Sequence, residues 1–233
     1  MDEWVEHLEE LRRRIIAVLV VFFVAAVIAF VFSSYIAAFL IAPLDAFQIQ
    51  LHAFAPTDIF MAYMRLAFWT GAIFTAPFFC LQAWLFLSPG LRGNEHRYAA
   101  AVLFVVPVLF FIGAGLSYRF MAPMVFGFFL FFGAGDGIEA LWSFKEYLAL
   151  LFNIMIAAGL MLQFPLALFV LIVTGAVSAA RVAYYRGHII FLIFLMAALV
   201  TPPDVISQIM LGVPLYLLFE ATLWLGKILR REQ

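Results

Sequence analysis

The chain has 233 residues, of which 67% are hydrophobic and only 12% charged, against about 25% charged residues in an ordinary soluble domain. No soluble fold of this length could bury so much apolar surface, so the composition excludes a soluble globular protein. The formal net charge of −1 excludes a generally basic surface of the kind that binds nucleic acid. These values predict an all-α polytopic membrane protein.

The first 14 residues form a charged arm. Apolar side chains recur at helical spacing from Trp4 to Ile15, which predicts an amphipathic helix that lies along the inner membrane interface before it turns into the first span. The apolar run that follows is too long for a cleavable signal peptide, so the first span is expected to remain as a signal anchor. Two acids precede arginines in the order that favours pairing across one helical turn, Glu9–Arg13 and Glu10–Arg14.

Six apolar runs are predicted to cross the membrane within a single domain, 1–233. A crossing needs about 20 residues for about 30 Å of hydrocarbon. The first four runs meet this length, and the fifth and sixth are shorter. The intervening segment 119–146 is predicted to form a helical cap on the external face. The predicted spans are residues 15–33, 60–87, 98–118, 148–174, 188–200 and 209–226.

Basic residues fall mainly on one side of these spans. Threading the chain with the N-terminus inside leaves only Arg65, Arg119 and Lys145 near the external face. This asymmetry follows the positive-inside rule and predicts that both termini are cytoplasmic. The cytoplasmic set is Arg12, Arg13, Arg14, Arg92, Arg97, Arg181, Arg186, Lys227, Arg230 and Arg231.

Prolines punctuate the spans and their ends. Each removes a backbone hydrogen bond that packing must replace, which favours a concave assembly of kinked helices over a straight bundle. The sequence Thr201-Pro202-Pro203-Asp204 predicts a rigid turn, with Asp204 capping the sixth span. Short fifth and sixth spans would thin the bilayer locally. Structural roles are predicted for Pro43, Pro202, Pro203, Asp204 and Gln208.

One polar side chain, Gln163, lies at the centre of the fourth span. An amide in hydrocarbon needs a hydrogen-bond partner, which is either another helix of this chain or the span of another protein. Cys80 lies in an apolar run and is expected to serve packing. The four histidines lack paired ligand spacing and no nucleophile motif occurs, so we expect no metal site, no cofactor and no enzymatic activity.

Five short motifs together resemble the TatC family, the multispan core of the twin-arginine protein translocase. They occur in the family's order and with matching spans. Gln163 stands where many members carry Glu, so titration at this position is impossible. The motifs are His7-Leu8-Glu9-Glu10-Leu11-Arg12, Ala42-Pro43-Leu44, Phe86-Leu87-Ser88-Pro89-Gly90-Leu91 with Glu95, Gln163-Phe164-Pro165, and the run from Thr201 to Gln208 with Pro214-Leu215 and Phe219-Glu220.

The resemblance implies a bacterial or archaeal cytoplasmic (inner) membrane protein that binds twin-arginine signal peptides of folded cargo. It also implies recruitment of single-span partners of the TatA and TatB type into a homo- or hetero-oligomeric complex driven by the proton-motive force. Carboxylates suit the planar guanidinium fork of arginine. The implied signal-peptide residues are Glu10, Arg12, Phe86, Pro89 and Glu95, and the implied partner contacts are Gln163, Met210 and Pro214.

Two other classes of protein remain as alternatives. A small-molecule or ion secondary transporter would place coupling charges at mid-membrane, where this chain offers little beyond Gln163 and, near one end of a span, Arg65. It would also favour an inverted repeat, and the two halves show no such similarity. A membrane-embedded enzyme is opposed by the lack of a nucleophile, a metal set and an acid pair.

Overall fold

The computed structural model describes residues 2–47, 49–87, 95–133, 141–201 and 205–231, and most of these residues are helical. A 3-10 helix covers Ala42–Phe47 and a π-helical turn covers Ser117–Met121. The other elements, in chain order, are α1 (Asp2–Val31), α2 (Ser33–Ile41), β1 (Leu51–His52), α3 (Asp58–Leu87), α4 (Glu95–Leu116), α5 (Ala122–Gly133), β2 (Trp142–Ser143), α6 (Phe144–Met161), α7 (Gln163–Val173), α8 (Ala179–Tyr184), α9 (Arg186–Val200) and α10 (Val205–Arg231).

Five stretches of the described chain are long and apolar enough to cross a membrane. They confirm a helical, multi-pass membrane protein and correspond to the first four and the sixth of the predicted spans. The predicted fifth span lies in α9, which is apolar but has only 15 residues, about 22 Å of helix. The five stretches are His7–Val31, Asp58–Phe86, Leu103–Phe131, Phe144–Val173 and Gln208–Ile228.

The charged arm does not turn into the first span. The sequence predicted a change of direction near Ile15, whereas α1 is one helix of 30 residues. The junction contains arginines, aliphatic residues and alanine, with neither glycine nor proline to interrupt the hydrogen-bond ladder. The arm and the first span therefore form one uninterrupted helix.

The prediction of a separate cap after the third span was wrong for residues up to Gly133. Helix α4 continues through the π-helical turn into α5, so the apolar run that follows Pro123 extends the third span. The amide of Ala122 donates to the carbonyl of Ser117 across this turn. A π-turn placed just before a proline relieves the clash that the proline ring would create in a regular helix.

The fourth predicted span is interrupted near its proline, and the sixth is longer than predicted. The fourth is interrupted at Leu162 between α6 and α7, where Pro165 cannot donate a backbone bond to the preceding turn. The sixth was predicted to be short, but α10 has 27 residues, about 40 Å. It continues at both ends into polar residues that the apolar run did not include.

The chain divides into two compact units. The first consists of Met1–Asp45, Ile49–Pro107 and Trp142–Ala149. In it α1 and α3 pack antiparallel, as the ring pairs Phe22–Phe68 and Phe30–Phe60 show. A Cβ added at Gly71 would lie 2.9 Å from the Cα of Ala26, so a larger residue could not occupy this crossing without separating the helices.

A two-residue parallel ladder, which the sequence analysis did not predict, joins β1 to β2 within the first unit. Beside it the Tyr147 hydroxyl donates to the Leu40 carbonyl at 2.7 Å. Pro43 lies in the 3-10 helix that follows α2, and its neighbour Leu44 is buried. These contacts fix the connection between α2 and α3.

The second unit consists of Ala46–Gln48, Val108–Leu141 and Leu150–Gln233. A Cβ added at Gly113 would lie 2.8 Å from the Ala158 carbonyl, so this glycine lets α4 and α6 approach closely. The Thr222 hydroxyl donates to the Pro165 carbonyl at 3.1 Å. Buried apolar residues of α7, α9 and α10, among them Ile172, Ile193 and Phe219, form the core of this unit.

Candidate functional site

Of the two predicted pairs on the arm, Glu10–Arg14 is present and is part of a larger network in the first unit, whereas the exposed Glu9 and Arg13 form no ion pair among the described residues. Arg14 Nε donates to Glu10 Oε1 at 3.0 Å, and Arg14 Nη2 contacts the same oxygen. Arg14 Nη1 donates to Gln82 Oε1 at 3.1 Å, and Nη2 donates to the Leu85 carbonyl at 3.2 Å. The network therefore joins α1 to the C-terminal turns of α3.

Aromatic stacking adds a second contact between the same two helices. The rings of His7 and Phe86 lie 4.4 Å apart with an interplanar angle of 24°. This places Phe86, a predicted signal-peptide residue, close to the arm that carries Glu10. Arg12 is exposed on the same helix. Three of the five residues predicted for this site thus lie around the packed ends of α1 and α3.

The loop that follows α3 contains the other two predicted residues. Pro89 lies outside the described residues. Glu95 is the first residue of α4, and its side chain lies outside what the structure describes. A position at a helix N-terminus agrees with the tendency of acids to complement the positive end of the helix dipole. The relation of Glu95 to Glu10 remains a prediction from sequence.

Gln163 lies at the break between α6 and α7. Its Nε2 donates to the Gly159 carbonyl of the preceding turn at 3.4 Å. This contact lies within the fourth span itself, so it is neither of the two partners left open by the sequence. A bond to the span of another protein stays a prediction.

Met210 and Pro214 line one apolar cavity of the second unit. The cavity has a volume of about 230 Å³ and also contacts Leu162, the residue before Gln163. The predicted partner contacts on α10 thus lie on a single concave surface next to the helix break. The complete lining is Gly113, Leu116, Phe120, Met121, Leu162, Met210, Leu211 and Pro214.

Glu220, near the end of α10, forms an ion pair with Arg186 at the start of α9. Arg186 also donates to the Tyr216 hydroxyl at 3.3 Å. Glu220 is partly exposed and Arg186 is half-exposed. The pair joins two helix ends and gives the acid within the sixth span a fixed counter-charge.

The turn between α9 and α10 is described only at its edges. Helix α9 ends at Val200, and the buried Thr201 has an extended backbone with its hydroxyl donating to the Ala197 carbonyl at 3.0 Å. Pro202, Pro203 and Asp204 lie outside the described residues. Gln208 Nε2 donates to the Phe194 carbonyl at 3.0 Å, which joins the two helices beyond the turn.

Sequence reasoning missed two members of the α1–α3 network. Gln82 and the Leu85 carbonyl are partners of Arg14, but neither belongs to a charged or spaced motif. The available signal was the polar Gln82 in an apolar run, one turn before Phe86. Among the described residues, no group of three or more His, Cys, Asp or Glu side chains is arranged to hold a metal ion.

Comparison with known proteins gives one consistent result. A family model described as "Sec-independent protein translocase protein (TatC)" matches residues 6–214. A protein of that name from Magnetococcus marinus is 37% identical and aligns with 98% of this chain and 85% of its own length. Another from Halalkalibacterium halodurans is 31% identical, with coverages of 97% and 90%.

A solved structure similar to this chain belongs to a protein that, like the sequence relatives, is named TatC. A crystal structure of the twin-arginine translocase receptor TatC is 29% identical to this chain and has a TM-score of 0.75. The similarity covers 96% of this chain and 99% of the crystallised one. The likeness therefore extends over both compact units.

Proposed function

Since this chain belongs to the TatC family of Sec-independent protein translocase proteins, we propose that it is the receptor subunit that binds twin-arginine signal peptides. The observation that carries the proposal is the half-exposed carboxylate of Glu10. It lies beside the stacked His7 and Phe86 rings, where two helices meet.

An arginine side chain presents a planar fork of N–H donors, and a carboxylate is its natural partner. Glu10 supplies one carboxylate, and Glu95 at the start of α4 supplies a second for the neighbouring arginine. Arg12, Phe86 and Pro89 belong to the same two motifs, and we propose that they contribute to the same peptide-binding site. Two acids for two consecutive arginines explain why a pair is required.

The proposed topology places this site in the cytoplasm. Six spans within one membrane domain, with α9 as the fifth, bring both termini to the cytoplasmic side of a bacterial or archaeal inner membrane. The distribution of arginines supports this orientation. The arm, the loop before α4 and the connection between α8 and α9 then share one face.

The apolar surface that Met210 and Pro214 share is proposed to receive a single-span partner of the TatA or TatB type. A transmembrane helix would place side chains in the cavity next to the α6–α7 break. Gln163 would contribute one interhelical hydrogen bond, worth about 1 kcal/mol. The receptor then works as part of a homo- or hetero-oligomeric complex in which proton-motive force drives export of folded cargo.

Site-specific photocrosslinking tests the receptor role. A signal peptide carrying a photoreactive residue beside its arginine pair is added to inner-membrane vesicles that contain the chain. Glu10→Gln and Glu95→Gln should each weaken crosslinking, because each removes a charge while it keeps the side-chain size. Glu9→Gln is the matched control, since it removes the same charge from the neighbouring exposed position.

The proposal fails if the double variant Glu10→Gln/Glu95→Gln crosslinks as strongly as the unaltered protein. Partner binding is tested separately by Gln163→Leu. This substitution should leave signal-peptide crosslinking intact and reduce copurification of the single-span partner. Crosslinks that place partner spans only against α1 would contradict the assignment to the α10 cavity.

A further inference from the structure

An open cavity lies at the end of α10 that the proposed topology places at the cytoplasmic face. It has a volume of about 420 Å³ and lies between residues 178–180, where α8 begins, and the last turns of α10. Gly226 in its wall packs closely on α7, since an added Cβ would lie 2.7 Å from Ile172 Cγ2. The cavity therefore lies beside a close helix crossing within the second unit.

The cavity offers positive charge without a protein anion. Lys227 lines it, and Arg181 follows its lining residues on α8; both side chains are exposed, and neither forms an ion pair with the described residues. No acid is among the described residues that line the cavity. Glu220, on the same helix as Lys227, is paired with Arg186. The Ser178 hydroxyl, which accepts from the Arg181 amide at 3.2 Å, can donate its own proton into the cavity.

The cavity is also apolar on the side that faces the membrane. Trp224 lines it, is 67% exposed, and lies one helical turn before Lys227, about 4.5 Å nearer the middle of the span. The apolar stretch of α10 ends at Ile228, so both side chains lie near the level at which the headgroup region begins. A ligand that covers Trp224 and also neutralises Lys227 must be an amphiphile with an anionic end.

We propose that this cavity binds the headgroup of an anionic phospholipid of the cytoplasmic leaflet. The phosphodiester accepts hydrogen bonds from Lys227 and the Ser178 hydroxyl, and the glycerol backbone with the first acyl carbons covers Trp224. A soluble phosphate would leave Trp224 uncovered. A zwitterionic lipid would bring a second cation close to Lys227 and Arg181. The inference goes beyond the proposed function and rests only on the proposed topology.

Photolabelling of the full chain in vesicles tests the site. The chain is reconstituted in phosphatidylcholine vesicles that contain a small fraction of phosphatidylglycerol with a photoreactive diazirine close to its headgroup. Mass spectrometry then identifies the labelled peptides. Label should fall on residues 178–180 and 224–228. Unlabelled phosphatidylglycerol should compete for this labelling, whereas additional phosphatidylcholine should not.

Lys227→Gln should raise the phosphatidylglycerol concentration for half-maximal labelling about fivefold, the effect of one cation beside an anionic lipid. Lys227→Arg should restore labelling, because it keeps the charge. Arg13→Gln is the matched control: it removes an exposed cation of the first unit that forms no ion pair with the described residues, and it should change nothing. Labelling that is unchanged in Lys227→Gln, or equal competition by phosphatidylcholine, would overturn the proposal and leave Trp224 and Lys227 as general anchors of the span.

A second cation keeps the test decisive if Lys227→Gln does not fold. Arg181→Gln should raise the half-maximal concentration about twofold, because Arg181 lies beside the cavity rather than in its lining. An unchanged value would again overturn the proposal.

A membrane-impermeant thiol reagent separates the lipid site from the topology. The reagent is applied to right-side-out and inside-out vesicles that contain the chain with Cys80→Ser and Gln233→Cys. Reaction in inside-out vesicles alone is expected. Reaction in right-side-out vesicles would contradict the proposed topology and assign the cavity to the opposite leaflet. Reaction from the cytoplasmic side, together with no phosphatidylglycerol labelling of the cavity, would overturn the lipid site alone.

Discussion

An acid paired with a base lies at each end of α3, Asp58 within the helix itself and Glu10 on the adjoining α1, but the two acids are used differently. At the N-terminal end, Asp58 accepts from the backbone amides of Ala55 at 2.9 Å and Phe54 at 3.2 Å, and from Lys145 Nζ at 3.0 Å. At the C-terminal end, the one partner of Glu10 among the described residues is Arg14, on one oxygen. The exposed fractions of the two side chains are 8% and 39%.

This difference indicates what each acid does. Asp58 uses both oxygens, is buried, and joins the start of α3 to the start of α6, so its contribution is structural. The Oε2 of Glu10 receives no donor from the part of the chain that the structure describes, and the side chain is 39% exposed, so a ligand can reach it. Occupancy of the oxygens, rather than the presence of an ion pair, distinguishes the structural acid from the acid that is proposed to bind the peptide.

The largest effect is expected from Asp58→Ala. The substitution removes the acceptor for two backbone amides and the counter-charge of Lys145, so the unfolding midpoint in detergent should fall by about 5 °C or more. Asp58→Asn, which keeps an acceptor, should be intermediate. A midpoint equal to that of the unaltered protein would show that Asp58 is not structural.

Glu10→Gln, in contrast, should weaken peptide binding and leave the unfolding midpoint almost unchanged. Replacement of a charge-assisted bond by a neutral one should weaken twin-arginine peptide binding by about tenfold. The unfolding midpoint should move by no more than about 2 °C, because a partly exposed pair contributes little to stability. Fluorescence anisotropy and a thermal scan on the same sample measure both. A large loss of stability would place Glu10 with Asp58 as a structural acid.

Ionic strength should affect the interactions of Glu10 and Asp58 to different extents. Raising the salt concentration from about 0.1 M to about 1 M shortens the screening length from about 10 Å to about 3 Å. The twin-arginine peptide should then bind about threefold more weakly, whereas the difference in midpoint between the unaltered chain and Asp58→Ala should persist. Equal salt sensitivity at both ends would contradict the contrast in burial.

The smallest effect on peptide binding is expected from Gln82→Leu. Arg14 loses one acceptor but keeps Glu10 and the Leu85 carbonyl, so the peptide dissociation constant should change by no more than about twofold. The midpoint should fall by about 2–4 °C, as for one lost hydrogen bond. Thr222→Val, which removes a hydrogen bond in the other unit, is a control for stability loss without any change in binding.

The sequence was sufficient for local features of the network. Glu10 and Arg14 are one helical turn apart, so spacing predicts their pair, but Glu9 and Arg13 have the same spacing and are both exposed without an ion pair in the described chain. The bonds to Gln82 and Leu85 depend on how α1 is aligned against α3. That alignment is set by close packing such as Gly71 against Ala26, which residue spacing within one helix does not encode.

The ends of the helices likewise depend partly on local sequence, which could be predicted, and partly on tertiary packing, which could not. The break at Leu162 follows from Pro165, because the missing donor acts within one turn. The π-turn before Pro123 was not predicted, since a proline can interrupt a helix or be absorbed by it. The length of α10 was underestimated because hydropathy marks where a helix is apolar, not where its hydrogen bonds end.

A double-mutant cycle between receptor and peptide tests the central claim most directly. The claim is that the open carboxylate of Glu10 binds an arginine of the signal peptide. Dissociation constants are measured for the unaltered chain and Glu10→Gln, each with the Arg-Arg peptide and with peptides in which one arginine is replaced by glutamine. A coupling energy of about 1.5–3 kcal/mol with one of the two arginines is expected. Coupling near zero with both arginines would contradict the account.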